Sequence, residues 1–115
     1  MCTTYLTLDD FKQLLKTNPG MVILKFGAEW CGPCKRCEKQ VRKWFDKINS
    51  KYITTIVVDI DESFEIYAFL KNKKMIQGIP AILMYKKGNL NYTFDDCVNT
   101  SDTTQIDEFF QRVVG

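Results

Sequence analysis

Apolar positions along the chain follow two periods, and the switches between them mark out the elements. Met21-Val22-Ile23-Leu24-Lys25-Phe26 is a nearly unbroken apolar run, the mark of a buried strand. From Pro33 to Ile48 the spacing turns helical, with Cys34, Cys37, Val41, Trp44, Phe45 and Ile48 on one face. Tyr52 to Asp59 is rich in β-branched residues and reads as a second buried strand, parallel to the first because a helix separates them. Asp61-Glu62-Ser63 opens a further helix carrying Phe64, Tyr67, Ala68 and Phe69 or Leu70 towards the basic stretch Lys71-Asn72-Lys73-Lys74. Ala81 to Lys86 and Leu90 to Phe94, joined by Lys87-Gly88-Asn89, are expected to form a hairpin. A last helix, from about Asp102, buries Ile106, Phe109, Phe110 and Val113.

Upstream of the central run, Thr4-Tyr5-Leu6 is expected as a short edge strand. Thr7 with Asp10 three residues on has the form of a capping box. The helix it starts carries Phe11, Leu14 and Leu15 and stops at Asn18-Pro19-Gly20. The order is therefore strand, helix, strand, helix, strand, helix, strand, strand, helix, with no repeat or linker. Alternating strands and helices imply parallel crossovers, and a closing hairpin adds antiparallel strands. The expectation is one α/β domain over residues 1–115: a mixed central sheet of about five strands flanked by about four helices.

Composition narrows the function classes. A chain of 115 residues can bury a core without disulfide staples. A net charge of +2 is too small to imply nucleic acid or a membrane surface as partner. The first ten residues lack a basic n-region and an apolar h-region, and no run is long enough to cross a bilayer, so a cytoplasmic location is expected. Five cysteines, unevenly spaced, suit a reducing compartment better than a secreted disulfide framework. The absence of histidine removes Ser-His and Cys-His catalysis together with most zinc and haem sites.

The candidate chemistry lies at Trp30-Cys31-Gly32-Pro33-Cys34, where the first strand hands over to a helix. Two thiols across a Gly-Pro pair can close a small ring and reopen it. Free backbone N–H groups and the positive end of the macrodipole favour a thiolate, so Cys31 is expected to be acidic, accessible and reactive. Pro33 suits the first turn, and Gly32 admits another backbone close to the sulfur. Trp30 can shield the nucleophile and touch a partner. The charges Lys35, Arg36, Lys39, Arg42 and Lys43 form a solvated helix face with a bias towards acidic partners.

In Ala28-Glu29-Trp30-Cys31-Gly32-Pro33-Cys34-Lys35 and in Gly78-Ile79-Pro80, followed by the strand-like Ala81 to Tyr85, the chain resembles the thioredoxin family. The order of elements extends that resemblance over nearly the whole chain. The resemblance implies the thioredoxin fold and a protein-disulfide reductase working by dithiol exchange. It makes Cys31 the nucleophile and Cys34 the resolving thiol, and puts a cis Ile79-Pro80 peptide against them whose backbone pairs with substrate. Trp30, Gly32, Pro33, Ile79 and Pro80 then form the substrate surface. Disulfide-containing proteins are the implied substrates, and a thioredoxin reductase, in the family a flavoenzyme using NADPH, is the implied electron source. No metal or organic cofactor is called for, and a monomer is expected.

Departures from the family pattern bear on the chemistry. Lys25 stands where the family usually carries a buried aspartate beneath the dithiol. A buried ammonium is costly without a partner, so Lys25 is expected to pair with Asp59 and to favour thiolate at Cys31 or Cys34 by its charge. Gly27 replaces a residue that is often bulky, and Lys39 a proline that often kinks the helix. Asp95-Asp96 stands where a glycine tends to face the active site, and the segment from Asp61 to Pro80 is long for the family. Cys37 falls on the apolar stripe and reads as core; Cys97 is placed in a loop near the dithiol with a structural role, a regulatory disulfide being the alternative; Cys2 is expected to be exposed and incidental. Three other readings stay open: a disulfide-forming oxidant, a binding module around Trp30 and Pro80 with redox state as a switch or incidental, and a metal or cluster held by Cys31, Cys34 and Cys37, shared across a dimer.

Overall fold

The computed structural model describes residues 3–115, so Cys2 lies outside the described residues. The elements are α1 (Leu8–Lys16), β1 (Met21–Gly27), α2 (Gly32–Ile48), β2 (Ile53–Asp59), α3 (Phe64–Asn72), β3 (Ala81–Lys86), β4 (Asp96–Val98) and α4 (Thr103–Val114). The sheet order is β2-β1-β3-β4, with β1 parallel to β2 and β3 antiparallel to both β1 and β4. This is the expected mixed sheet flanked by four helices. Among the described residues, no helix is long and apolar enough to cross a membrane.

Helix starts follow the local chemistry of the sequence. The hydroxyl of Thr7 accepts from the N–H of Asp10, whose carboxylate accepts from the N–H of Thr7, completing the capping box of α1. Asp102 caps α4 by accepting from the N–H of Thr104. Just past the C-cap Lys73 of α3, Lys74 takes the left-handed conformation (φ 62°), and the N–H of Met75 returns to the carbonyl of Leu70. Helix α2 runs unbroken through Lys39.

The sheet separates two cores. On one face α1 and α3 bury Phe11, Leu15, Ile66 and Leu70 against Val22, Leu24, Phe26, Leu83 and Tyr85. On the other, α2 and α4 bury Cys37, Val41, Ile106, Phe109 and Phe110 against Ile23, Ile82 and Met84. Each fully buried Leu, Ile or Phe is worth about 1.5–3 kcal/mol of transfer free energy, so these two layers fix where the strand ends lie. Trp44 stacks on Phe110 at 5.2 Å, and its Nε1 donates to Asp107 at 2.7 Å, tying α2 to α4.

Three expectations about elements are corrected. Thr4-Tyr5-Leu6 lies beside β2 and makes one ladder-like bond, Thr4 N–H to the carbonyl of Val57 at 2.8 Å, but is not a strand; among the described residues the sheet has four strands. Leu90 to Phe94 is a loop, and the fourth strand forms only at Asp96. The turn at Lys87-Gly88-Asn89 is present, but Asn89 and Asn91 then accept from the N–H groups of Asn91 and Thr93, and Asp95 accepts from Lys86. Polar side chains take up the backbone groups that a ladder would have used. Phe64 stays 65% exposed, because Ile66, Tyr67 and Leu70 form the buried face of α3.

Candidate active site

Strand β1 brings the chain to the site with Val22, Leu24 and Phe26 in one core and Ile23 in the other, so Lys25 and Gly27 follow Ile23 on the α2 side. Beyond Gly27 the backbone turns, with the N–H of Cys31 donating to the carbonyl of Ala28 at 3.1 Å. Cys31 is the N-cap of α2, and its Sγ accepts from the N–H of Cys34 at 3.2 Å. The sulfur thus sits at the positive end of a helix and takes one of its free N–H groups, an arrangement that favours a thiolate. Pro33 occupies the first turn, where it forfeits no hydrogen bond.

Cys31 and Cys34 are joined as a disulfide, their Cα atoms 5.3 Å apart. Cys31, expected to be accessible, offers only a small window to a substrate sulfur: it is 5% exposed and Cys34 3%. Across from it the Ile79-Pro80 peptide is cis, and the carbonyl oxygen of Ile79 lies 4.0 Å from Sγ of Cys31. Two motifs far apart in sequence therefore meet because β3 begins beside the end of β1, Phe26 opposite Ala81. Trp30 is 67% exposed, with its Nε1 donating to Oδ2 of Asp61 at 2.7 Å.

Lys25 is 4% exposed and lines a cavity of about 610 Å³ with Gly27, Cys34, Val57 and Asp59. A Cβ on Gly27 would lie 3.4 Å from Sγ of Cys34 and 3.9 Å from Nζ of Lys25, so ammonium and sulfur flank the same glycine. The expected Lys25–Asp59 ion pair is not formed: among the described residues no ion pair within 4.0 Å joins them. Register explains it, since Lys25 stands opposite Val57 while Asp59 stands opposite Gly27, on the diagonal. Oδ1 of Asp59 instead accepts from the N–H of Asp61 at 2.8 Å.

Of the other described cysteines, Cys37 is a core residue and Cys97 is partly buried against a core cluster. Cys37 is fully buried beside Val41, and its Sγ donates to the carbonyl of Cys34 at 3.4 Å. Burial pushes its thiol pKa up, partly offset by the charge of Lys25. Cys97 lies in β4, not in a loop near the dithiol, and packs on the α1–α3 side, where burial also raises its pKa. Asp95 and Asp96 do not face the site either: Asp96 sits opposite Met84 and binds Arg112 of α4 at 2.8 and 3.0 Å. Among the described residues no cluster of three or more His, Cys, Asp or Glu is arranged to hold a metal ion.

The residue that does reach the Pro80 segment is Asn99, just past β4. Its Nδ2 donates to the carbonyls of Gly78 (3.0 Å) and Pro80 (2.9 Å), and its Oδ1 accepts from the N–H of Gln77 (2.7 Å). Asn99 and Asp61 both carry the site's geometry without a sequence signal of their own. The sequence reads Asp61 as part of a helix start, and Asn99 falls in a polar run with no periodicity.

A family model described as thioredoxin matches residues 2–112. The chain is 31% identical over 86 residues to thioredoxin 1 of Chlorobaculum tepidum, covering 75% of this chain and 77% of that one. It is 28% identical over 106 residues to the mitochondrial thioredoxin of Mus musculus, covering 92% of this chain but 59% of that one, so it spans about three fifths of that relative's length. A solved thioredoxin structure from Plasmodium falciparum superposes with a TM-score of 0.74 at 24% identity, covering 96% of this chain and 98% of the other, which shows the shared fold. Taken with the dithiol at the start of α2 and the cis Ile79-Pro80 beside it, these matches establish that the chain belongs to the thioredoxin family.

Proposed function

We propose that the protein is a thiol–disulfide oxidoreductase that reduces disulfides in proteins through Cys31 and Cys34. The observation that carries the reading is the Cys31–Cys34 disulfide at the N-terminus of α2, with the backbone of Ile79 beside its outer sulfur. In the reduced enzyme, Cys31 thiolate attacks a substrate disulfide R–S–S–R′, forming a Cys31–S–S–R bond and expelling R′S⁻, which takes up a proton. Cys34 loses its proton to water and attacks Sγ of Cys31, closing the Cys31–Cys34 bond and expelling RS⁻. Two electrons pass to the substrate and two must return from a donor. A thioredoxin reductase drawing on NADPH is the donor class that family membership supports. Trp30, Gly32, Pro33, Ile79 and Pro80 surround the exchanging sulfurs as the substrate surface.

Lys25 sets the poise of the pair. An ammonium beside Cys34 favours the thiolate, and stabilising the reduced form makes a dithiol a stronger oxidant. That supports a second reading, in which the protein forms disulfides rather than reducing them. Cys37 and Cys97, both free, suit a reducing compartment such as the cytoplasm and favour the reductase. Equilibration with glutathione, together with insulin reduction driven by a thioredoxin reductase and NADPH, tests the choice. A pair that resists reduction by glutathione and reduces insulin is the reductase; a pair readily reduced by glutathione and silent towards insulin is the oxidant.

A further inference from the structure

We propose that Asn99 is a positioning residue that clamps the carbonyls of Gly78 and Pro80, the residues on either side of Ile79, so that the N–H and C=O of Ile79 stand ready beside Cys31 as a one-residue strand edge for an extended substrate peptide. This inference rests on the reading that protein disulfides are the substrates. An amide side chain has two N–H donors and an oxygen with two lone pairs. Asn99 spends both donors on the carbonyls of Gly78 and Pro80, one residue to each side of Ile79, and its oxygen on the N–H of Gln77. Those three bonds hold the Gly78-Ile79 and Pro80-Ala81 peptide groups and the N–H of Gln77, and none of them uses the N–H or C=O of Ile79. Among the described residues the N–H of Ile79 has no hydrogen-bond partner, and its carbonyl oxygen faces Sγ of Cys31 at 4.0 Å.

The edge is also uncovered. Nothing lies within 4 Å of where a Cβ on Gly78 would stand, so an incoming chain meets no obstacle there. A backbone edge with one free donor and one free acceptor is what strand addition uses, and holding it still before binding removes an ordering cost. Asn is specified over its isostere. An aspartate at position 99 would keep the acceptor for Gln77 but would put a carboxylate against two carbonyl oxygens.

The test compares a substrate that offers a backbone with one that does not. Parent, Asn99→Ala and Asn99→Asp proteins, pre-reduced on both cysteines, are mixed with increasing insulin or with hydroxyethyl disulfide, and oxidation is followed by tryptophan fluorescence. For Asn99→Ala the half-saturating insulin concentration rises about tenfold, the worth of one or two hydrogen bonds, while the limiting rate and the hydroxyethyl disulfide rate stay within about twofold. Asn99→Asp is worse towards insulin than Asn99→Ala. Equal losses on both substrates mean a damaged dithiol and overturn the clamp, as does an unchanged insulin profile in a parent that reduces insulin normally. A parent that reduces hydroxyethyl disulfide and not insulin fails earlier, sinking the substrate reading and the clamp together.

Discussion

Nε1 of Trp30 donates to Oδ2 of Asp61 at 2.7 Å, fixing the residue ahead of the nucleophile to the turn that follows β2. The indole is otherwise largely in solvent, so this bond, about 1 kcal/mol net for a typical hydrogen bond, is what chooses its orientation. Asp61→Ala is expected to release the ring. Fluorescence anisotropy of the tryptophans falls, and the second-order rate towards insulin drops roughly three- to fivefold, in line with that energy. Unchanged anisotropy would show that packing, not the carboxylate, holds Trp30.

Lys25→Met separates stability from chemistry. Methionine keeps the volume of the buried stem and removes an ammonium that no described residue pairs within 4.0 Å, so the fold gains about 1 kcal/mol, roughly 4 °C in Tm. The same change removes the charge that favours thiolate at Cys34. The pair should therefore become more reducing, by on the order of 30 mV, and its thiols should titrate at higher pH. Equilibration with glutathione and thiol alkylation against pH measure both. A variant that gains stability with neither the potential nor the titration moved would leave Lys25 no part in the chemistry.

How much could be read beforehand depended on whether a feature was local. The capping box of α1, the N-cap Asp102 and the dithiol helix start are short-range devices whose partners lie within a few residues, and each is where the residues indicate. The loop at Leu90 to Phe94 was not legible, because its apolar and aromatic residues suggest a strand while Asn89, Asn91 and Asp95 satisfy the backbone locally. The site divides the same way. Cys31, Cys34 and Pro80 are marked by their motifs, but Lys25 and Asp59 needed the strand register, which puts the carboxylate on the diagonal. Asn99 acts through three backbone groups on another loop, a relation that only the assembled sheet creates.

Acid should loosen α4 from the rest of the molecule. Asp107 is held below the usual carboxylate range by its hydrogen bond from Trp44, with Gln40 second, and Asp96 by its hydrogen bond from Arg112. A depressed folded-state pKa contributes stability that is complete above the unfolded value, near 3.8, and is lost as pH falls through the lower folded value. Urea unfolding between about pH 5 and pH 2 should show that loss. Asp107→Asn keeps an acceptor for Trp44 without the titration, so its curve starts lower, is flatter and meets the parent at the acid end. Parallel curves would place the acid sensitivity elsewhere.

The order of the two sulfurs is open to direct trapping. Sγ of Cys31 sits at the helix N-terminus and beside the carbonyl of Ile79, whereas Cys34 lies one turn inward against Gly27 and the Lys25 cavity. Only the first has a substrate edge next to it. Cys34→Ser should therefore attack a protein disulfide at close to the parent rate and stop at a covalent adduct, seen as a mass increase that dithiothreitol reverses. Cys31→Ser removes the attacking group and should lower turnover by about a thousandfold or more, with no adduct. Cys37→Ala should leave both behaviours intact, because its sulfur faces the core; an adduct that persists in Cys31→Ser and disappears on adding Cys37→Ala would instead give the inner thiol a share of the attack.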